Sequence, residues 1–276
     1  MAHSWNHYLV LFYDYSIYFK PRFFYCDLIQ FGSENMTTQE FINSRYDRVK
    51  DYDVTVRQME ERTVNSLPKV ENVKYNEVLT LDVAFLFCDI KGYTNLVTNS
   101  TDPKTIARIM SIYVTEMAAA IRYHGGTILS IRGDGIIGAF IGSNKNNAST
   151  EAARCSVTQY SLLDLVVNKR LRSFQQSPIS CHWGADYGKV KITRAGIHGD
   201  GKNDLIYIGD AINYTSKFSV LADKGSIVIS SKMHNSISNY YKDPENGWKW
   251  NDFYDHNYGT LYSKSLTNWS GLVEPS

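Results

Sequence analysis

The segment that most limits what this chain can fold into is Val83-Ala84-Phe85-Leu86-Phe87-Cys88, a short, almost wholly apolar run rich in β-formers that stops at Asp89. Such a run reads as a buried strand, and its end places one carboxylate at a strand terminus. Thr101-Asp102-Pro103 then starts a helix, because Asp102 can cap it and Pro103 suits its first turn; Ile106, Ile109, Met110, Val114, Met117 and Ile121 give it an apolar stripe. His124-Gly125-Gly126 stops it. Two β-type runs, 127–131 and 136–141, flank Arg132-Gly133-Asp134-Gly135, where Asp-Gly signals a hairpin and sets a second carboxylate, Asp134, on its tip.

Strand, helix and hairpin are the first three quarters of a βαββαβ unit, and residues 149–172 supply the next helix. Runs 179–186 and 189–193 read as a second hairpin turning at Tyr187-Gly188, and 205–208 and 227–229 add β structure around a helix near 210–221. The expected fold is α+β, a ferredoxin-like βαββαβ sandwich.

A carboxylate at the end of a strand, with glycine beside it, presents oxygen to a hard cation and leaves room for a phosphate. Alone, Asp134 can simply make a turn and Asp89 cap a loop. Together they point to two-metal phosphoryl chemistry, in which a hydroxyl is activated and a polyanion shielded.

The segments FLFCDIKGYTNL, GGTILSIRGDGIIGAF, HWGADYGKV and YIGDAINYTSKF follow the order and spacing of the class III nucleotide cyclase catalytic domain, which the chain resembles from about Glu77 to Ser230. The resemblance implies that Asp89, Asp134 and the carbonyl of Ile90 hold two divalent cations, Mg²⁺ or Mn²⁺. It also implies a homodimer with composite sites, the partner supplying an asparagine and, four residues later, an arginine for transition-state charge. Those positions here are Asn213 and Lys217, which share a helix face. Lysine keeps the charge but loses the planar fork of arginine.

In adenylate cyclases of this family a lysine and an aspartate read the base, and in guanylate cyclases usually a glutamate and a cysteine. Here the two positions are Ser130 and Ile206, which match neither purine code. A buried Ile206 offers no hydrogen bond, and an unpaired purine edge costs about 1 to 3 kcal/mol per group. This pattern looks like the bacterial pyrimidine cyclases of the Pycsar phage-defence systems, which form cyclic CMP or cyclic UMP from CTP or UTP and act through a separate cyclic-nucleotide-sensing effector. Tyr93, after Gly92, is the candidate filler of the smaller base pocket, or an ordinary packing aromatic. Ser130 can donate or accept, and Arg132 can meet a base carbonyl, the triphosphate or only solvent. A relaxed adenylate cyclase and a silent nucleotide-binding module are the competing readings; retention of both acids argues against the second.

The 276 residues are 43% hydrophobic with net charge +1, so nothing draws the chain to nucleic acid or anionic membrane, and a cytoplasmic protein is expected. Cys26, Cys88, Cys155 and Cys181 lack zinc spacing and read as reduced packing thiols; His182 and His198 read as structural. Residues 1–35 are aromatic-rich, and Asp14, Lys20 and Pro21 interrupt any membrane-length run; no secretory signal is recognisable. They are expected to be a poorly ordered extension before an alternative start at Met36, or else a lid or dimer arm. Segment 36–75 should be helical, beginning at a Thr37/Glu40 capping box and running to about Asn65, with the catalytic domain over 76–276.

Overall fold

The computed structural model describes residues 9–12, 22–25, 37–56, 59–99, 102–142, 144–196 and 203–269. Two short strands, β1 (Leu9–Phe12) and β2 (Arg22–Tyr25), pair antiparallel; the rest of the expected 1–35 extension, including Cys26, lies outside the described residues. Helix α1 (Thr38–Val56) opens with the expected box: the Thr37 amide donates to Glu40 Oε2 at 2.8 Å and the Glu40 amide to Thr37 Oγ1 at 3.3 Å. It ends well before Asn65. Glu60–Thr63 is instead β3, parallel to the start of β4 (Glu77–Ile90). Its charges decide this, since Arg62 bonds Glu77, and Glu61 takes hydrogen bonds from Thr80 at 2.8 Å and Lys191 at 3.3 Å.

After β4 come α2 (Tyr93–Asn99), α3 (Pro103–Tyr123), β5 (Thr127–Arg132) and β6 (Gly135–Phe140). Asp102 caps α3 through the amides of Lys104 and Thr105, as its sequence requires. Next, α4 (Lys145–Leu162), a turn of π-helix (Leu163–Val167) and α5 (Asn168–Ser173) run on as one rod. It starts four residues earlier than expected because Asn144 caps it. Then follow β7 (Cys181–Gly196), β8 (Asn203–Ile208), α6 (Asp210–Leu221), β9 (Ser226–Ser230), α7 (Ser231–Ser236), β10 (Asn251–Asp255) and β11 (Gly259–Ser265).

Strands β7, β4, β6 and β5 lie side by side, each antiparallel to its neighbour, which is the order of a βαββαβ unit. The α+β ferredoxin-like core is therefore present, widened by β9, β11 and β10 beyond β7 and by β8 and β3 on outer segments. One face of β4, through Ala84, Leu86 and Cys88, packs under α3 and α4 with Tyr113, Met117, Ala152 and Trp183. The other, through Val83 and Phe85, packs with Val190, Ile192 and Ala211.

The expected turn at Tyr187-Gly188 does not exist, because β7 is one continuous strand paired with β4 from Val78↔Thr193 to Ile90↔Cys181. Gly188 is there for close packing. A Cβ at this position would lie 3.1 Å from both Ala211 Cβ and Lys232 Nζ.

Candidate active site

Two locally determined features bring the acids together. β4 delivers Asp89 as its last residue but one, and the loop Gly133-Asp134 between β5 and β6 delivers Asp134. Gly133 has φ +60°, as the first loop residue of a type II′ turn requires. At Gly135 a Cβ would come within 2.7 Å of the Phe87 ring, so only glycine lets the tip close onto β4. The Ile90 amide donates to Asp134 Oδ2 at 3.1 Å, and the buried Tyr113 hydroxyl donates to the Asp134 carbonyl at 3.1 Å.

The carboxylates of Asp89 and Asp134 converge closely enough for each to shift the other's ionisation. Burial, and then the adjoining Asp89, push Asp134 up to about 6. Burial opposes ionisation of Asp89 too, but the neighbouring His182 imidazole and Asp134 carboxyl outweigh it and hold Asp89 below the usual carboxylate range. Ionised Asp89 thus disfavours charge on Asp134, a repulsion that a divalent cation would relieve. Among the described residues no three His, Cys, Asp or Glu side chains are grouped for a metal ion. A metal site here would rest on two carboxylates and a strand-end carbonyl such as that of Ile90, a hard, all-oxygen donor set that would suit Mg²⁺ or Mn²⁺.

His182 stands directly opposite Asp89 on β7, its Nε2 3.7 Å from Asp89 Oδ2, with its buried Nδ1 unpartnered. Sequence reasoning passed over it as structural, because its place depends on the register between two strands almost a hundred residues apart. His198 lies outside the described residues. Cys88, Cys155 and Cys181 are buried free thiols, and burial pushes Cys155 and Cys181 up.

Ser130, Ile137 and Phe87 form a row across three strands, on the face of Asp89 and two residues back from it. Arg132, exposed, ends β5 opposite Gly135. Gly92, at φ +83°, turns the chain into α2, and Tyr93 opens that helix half-buried, packed against the main core. Ile206 corrects an expectation: it is 47% exposed on β8. Residues alternate along that strand, so Leu205 and Tyr207 take the inward positions.

Asn213 and Lys217 share the exposed face of α6 and make no hydrogen bond or ion pair with Asp89 or Asp134 within the protomer. The Lys217 ammonium sits over the rings of Tyr214 and Tyr258, at 5.7 and 5.9 Å from their centroids.

The sequence profile of the adenylate and guanylate cyclase catalytic domain matches residues 77–249, which span both acid turns and α6. The chain belongs to this family. A uridylate cyclase of Burkholderia cepacia is 30% identical over 188 residues, covering 66% of this chain and 79% of the relative. Another, of Gulbenkiania mobilis, is 24% identical over 226 residues, covering 75% and 87%. The crystal structure of the guanylyl cyclase Cya2 superposes with a TM-score of 0.59 at 22% identity, over 71% of this chain and 95% of that one, and shares the fold. Among the described residues no helix is long and apolar enough to cross a membrane.

Proposed function

We propose that this nucleotide cyclase acts on a pyrimidine nucleoside triphosphate, UTP ahead of CTP, and forms the 3′,5′-cyclic monophosphate and pyrophosphate. The observation that carries the reading is the pair Ser130 and Ile206 at the base-reading positions. Ser130 offers a single small hydroxyl in place of a lysine or glutamate, and Ile206 offers no hydrogen-bonding group at all, so neither purine code of the family is present. Similarity to relatives named uridylate cyclase supports UTP over CTP.

Divalent ions, Mn²⁺ or Mg²⁺, would shield the triphosphate and lower the pKa of the ribose 3′-hydroxyl. Asp89, Asp134 and the Ile90 carbonyl would hold them, and the tethers from Ile90 and Tyr113 keep the Asp134 tip in place. The 3′-oxygen would lose its proton to solvent and bond to the α-phosphorus, while the bond from the α-phosphorus to the α,β-bridging oxygen breaks and that oxygen leaves with pyrophosphate. Asn213 and Lys217 of a second protomer would orient the ribose and offset charge on the phosphates. Gly92 would leave room for the phosphates, Tyr93 would border the base, and Arg132 would meet a base carbonyl or the triphosphate. The product would be a second messenger for a cyclic-nucleotide-sensing effector in a cytoplasmic, Pycsar-type antiphage response.

Purified protein given equal UTP, CTP, ATP and GTP with Mn²⁺ should yield cyclic UMP as the main product. Dominant cyclic AMP or cyclic GMP would overturn the pyrimidine reading.

A further inference from the structure

We propose that Tyr258, in the turn between β10 and β11, works with Tyr214 as an aromatic seat that aims the Lys217 ammonium, making Tyr258 a positioning residue for this cyclase. The inference deepens the proposed function, since it rests on Lys217 acting on the phosphates.

Lysine is a flexible point charge, whereas arginine brings a planar fork that is organised in advance. A lysine at this position therefore needs something else to restrict it. Tyr214, three residues before Lys217 on α6, offers one ring face, and Tyr258, from a hairpin more than thirty residues later, offers the second. The two rings are themselves fixed: Tyr214 meets Tyr258 edge-on at 5.1 Å, and Phe218, 1% exposed, meets Tyr258 edge-on at 5.4 Å. The hairpin that carries Tyr258 is tied to the central sheet through β11 and β9. Lys217 remains exposed and makes no ion pair among the described residues, so its charge is held near rings and not neutralised.

The test is a double-mutant cycle with Tyr258→Leu and Lys217→Met, measuring pyrophosphate release with UTP and Mn²⁺, or with whichever triphosphate the wild type turns over fastest. Tyr258→Leu should lower turnover about two- to fivefold, the range for a partly exposed cation–π contact. It should add nothing in the Lys217→Met background, and Tyr258→Phe should restore the wild-type rate because the ring face remains. If Lys217→Met itself leaves turnover intact, the phosphate role of Lys217 fails and the seat falls with it. If Lys217→Met is impaired while Tyr258→Leu matches wild type, or lowers turnover equally in both backgrounds, the seat alone is overturned. Should Tyr258→Leu not fold, fluorinated phenylalanines at position 258 keep shape while weakening the ring's negative face. Turnover that falls as fluorine is added supports the seat, and turnover indifferent to it refutes the seat.

Discussion

Replacing Gly184 by alanine puts a methyl group where the main chain of α6 already lies. An ideal Cβ there would stand 2.1 Å from the Thr215 carbonyl oxygen, 2.4 Å from the Ser219 amide nitrogen and 2.9 Å from the Phe218 carbonyl carbon. All three are backbone atoms, so no rotamer change relieves the contact. Non-bonded carbon settles at about 3.5 Å or beyond, so the helix must lift from β7 by roughly 1 Å. Its underside, Ala211, Thr215, Phe218 and Ser219, is buried and would lose packing as it moved. Overpacking of this kind costs about 1 to 3 kcal/mol, and a backbone clash belongs at the upper end. In a chain of this size that upper end corresponds to a fall in Tm of roughly 5 °C. The same shift displaces Asn213 and Lys217, and a 1 Å misplacement can cost on the order of a hundredfold in rate. Thermal melts, with steady-state turnover measured well below the mutant's Tm, read both effects. Gly188→Ala is the control, because its Cβ would press at 3.1 Å only on side-chain atoms, of Ala211 and Lys232. A Gly184→Ala protein with unchanged Tm and full turnover, or a Gly188→Ala protein hurt more, would show that α6 is not held as described.

Asp134→Ala should fold and lose activity by orders of magnitude, because it removes one of two converging carboxylates and no core packing. Turnover within a few-fold of wild type in the folded variant would falsify the two-carboxylate site. Mixing Asp89→Ala with Asn213→Ala protein should recover up to about a quarter of wild-type activity, since each heterodimer rebuilds one intact composite site. Proven heterodimers with no gain would end the shared-site reading. Asp186, 5% exposed, is pushed up to about 6 chiefly by burial, against the hydrogen bonds from Ser230 and the Tyr187 amide and the charge of Lys232, with Asp210 adding to the rise. Its folded value lies above the unfolded 3.8, so its contribution to stability is complete below about pH 4 and is lost as pH rises through about 6. Asp186→Asn keeps an oxygen for both donors and should therefore match wild type near pH 4 but exceed it by about 3 kcal/mol near pH 8 in urea unfolding, at 1.36 kcal/mol per pKa unit; a gap independent of pH would refute the assignment.

What the sequence made legible was local. The apolar run ending at Asp89, the Asp102 cap and the glycine-flanked tip at Asp134 each declare themselves within a few residues, and once placed they fix the βαββαβ order and bring the two acids to one end of the sheet. The rest depended on contacts across long stretches of chain. Tyr187-Gly188 has the composition of a turn, yet Gly188 is small because α6 and Lys232 press on it, and only the packed helix reveals that. Glu60–Thr63 carries too much charge to look like a strand until Arg62 finds Glu77 and Glu61 finds Thr80. His182 gains meaning only from the β4–β7 register. Ile206 looked like a core residue by type, but alternation along β8 turns Leu205 and Tyr207 inward and leaves it facing out. On the proposed reading, this exposed isoleucine stands where purine cyclases of the family carry a base-reading side chain, and a base or a second protomer would cover it. That reading would tie substrate choice to assembly, since a change at Ile206 would alter both the pocket and the surface around it. Substitution to aspartate should therefore be read by product identity and by dimer mass together, since a purine-reading gain with an intact dimer and a loss of activity through dissociation are different outcomes of the same mutation.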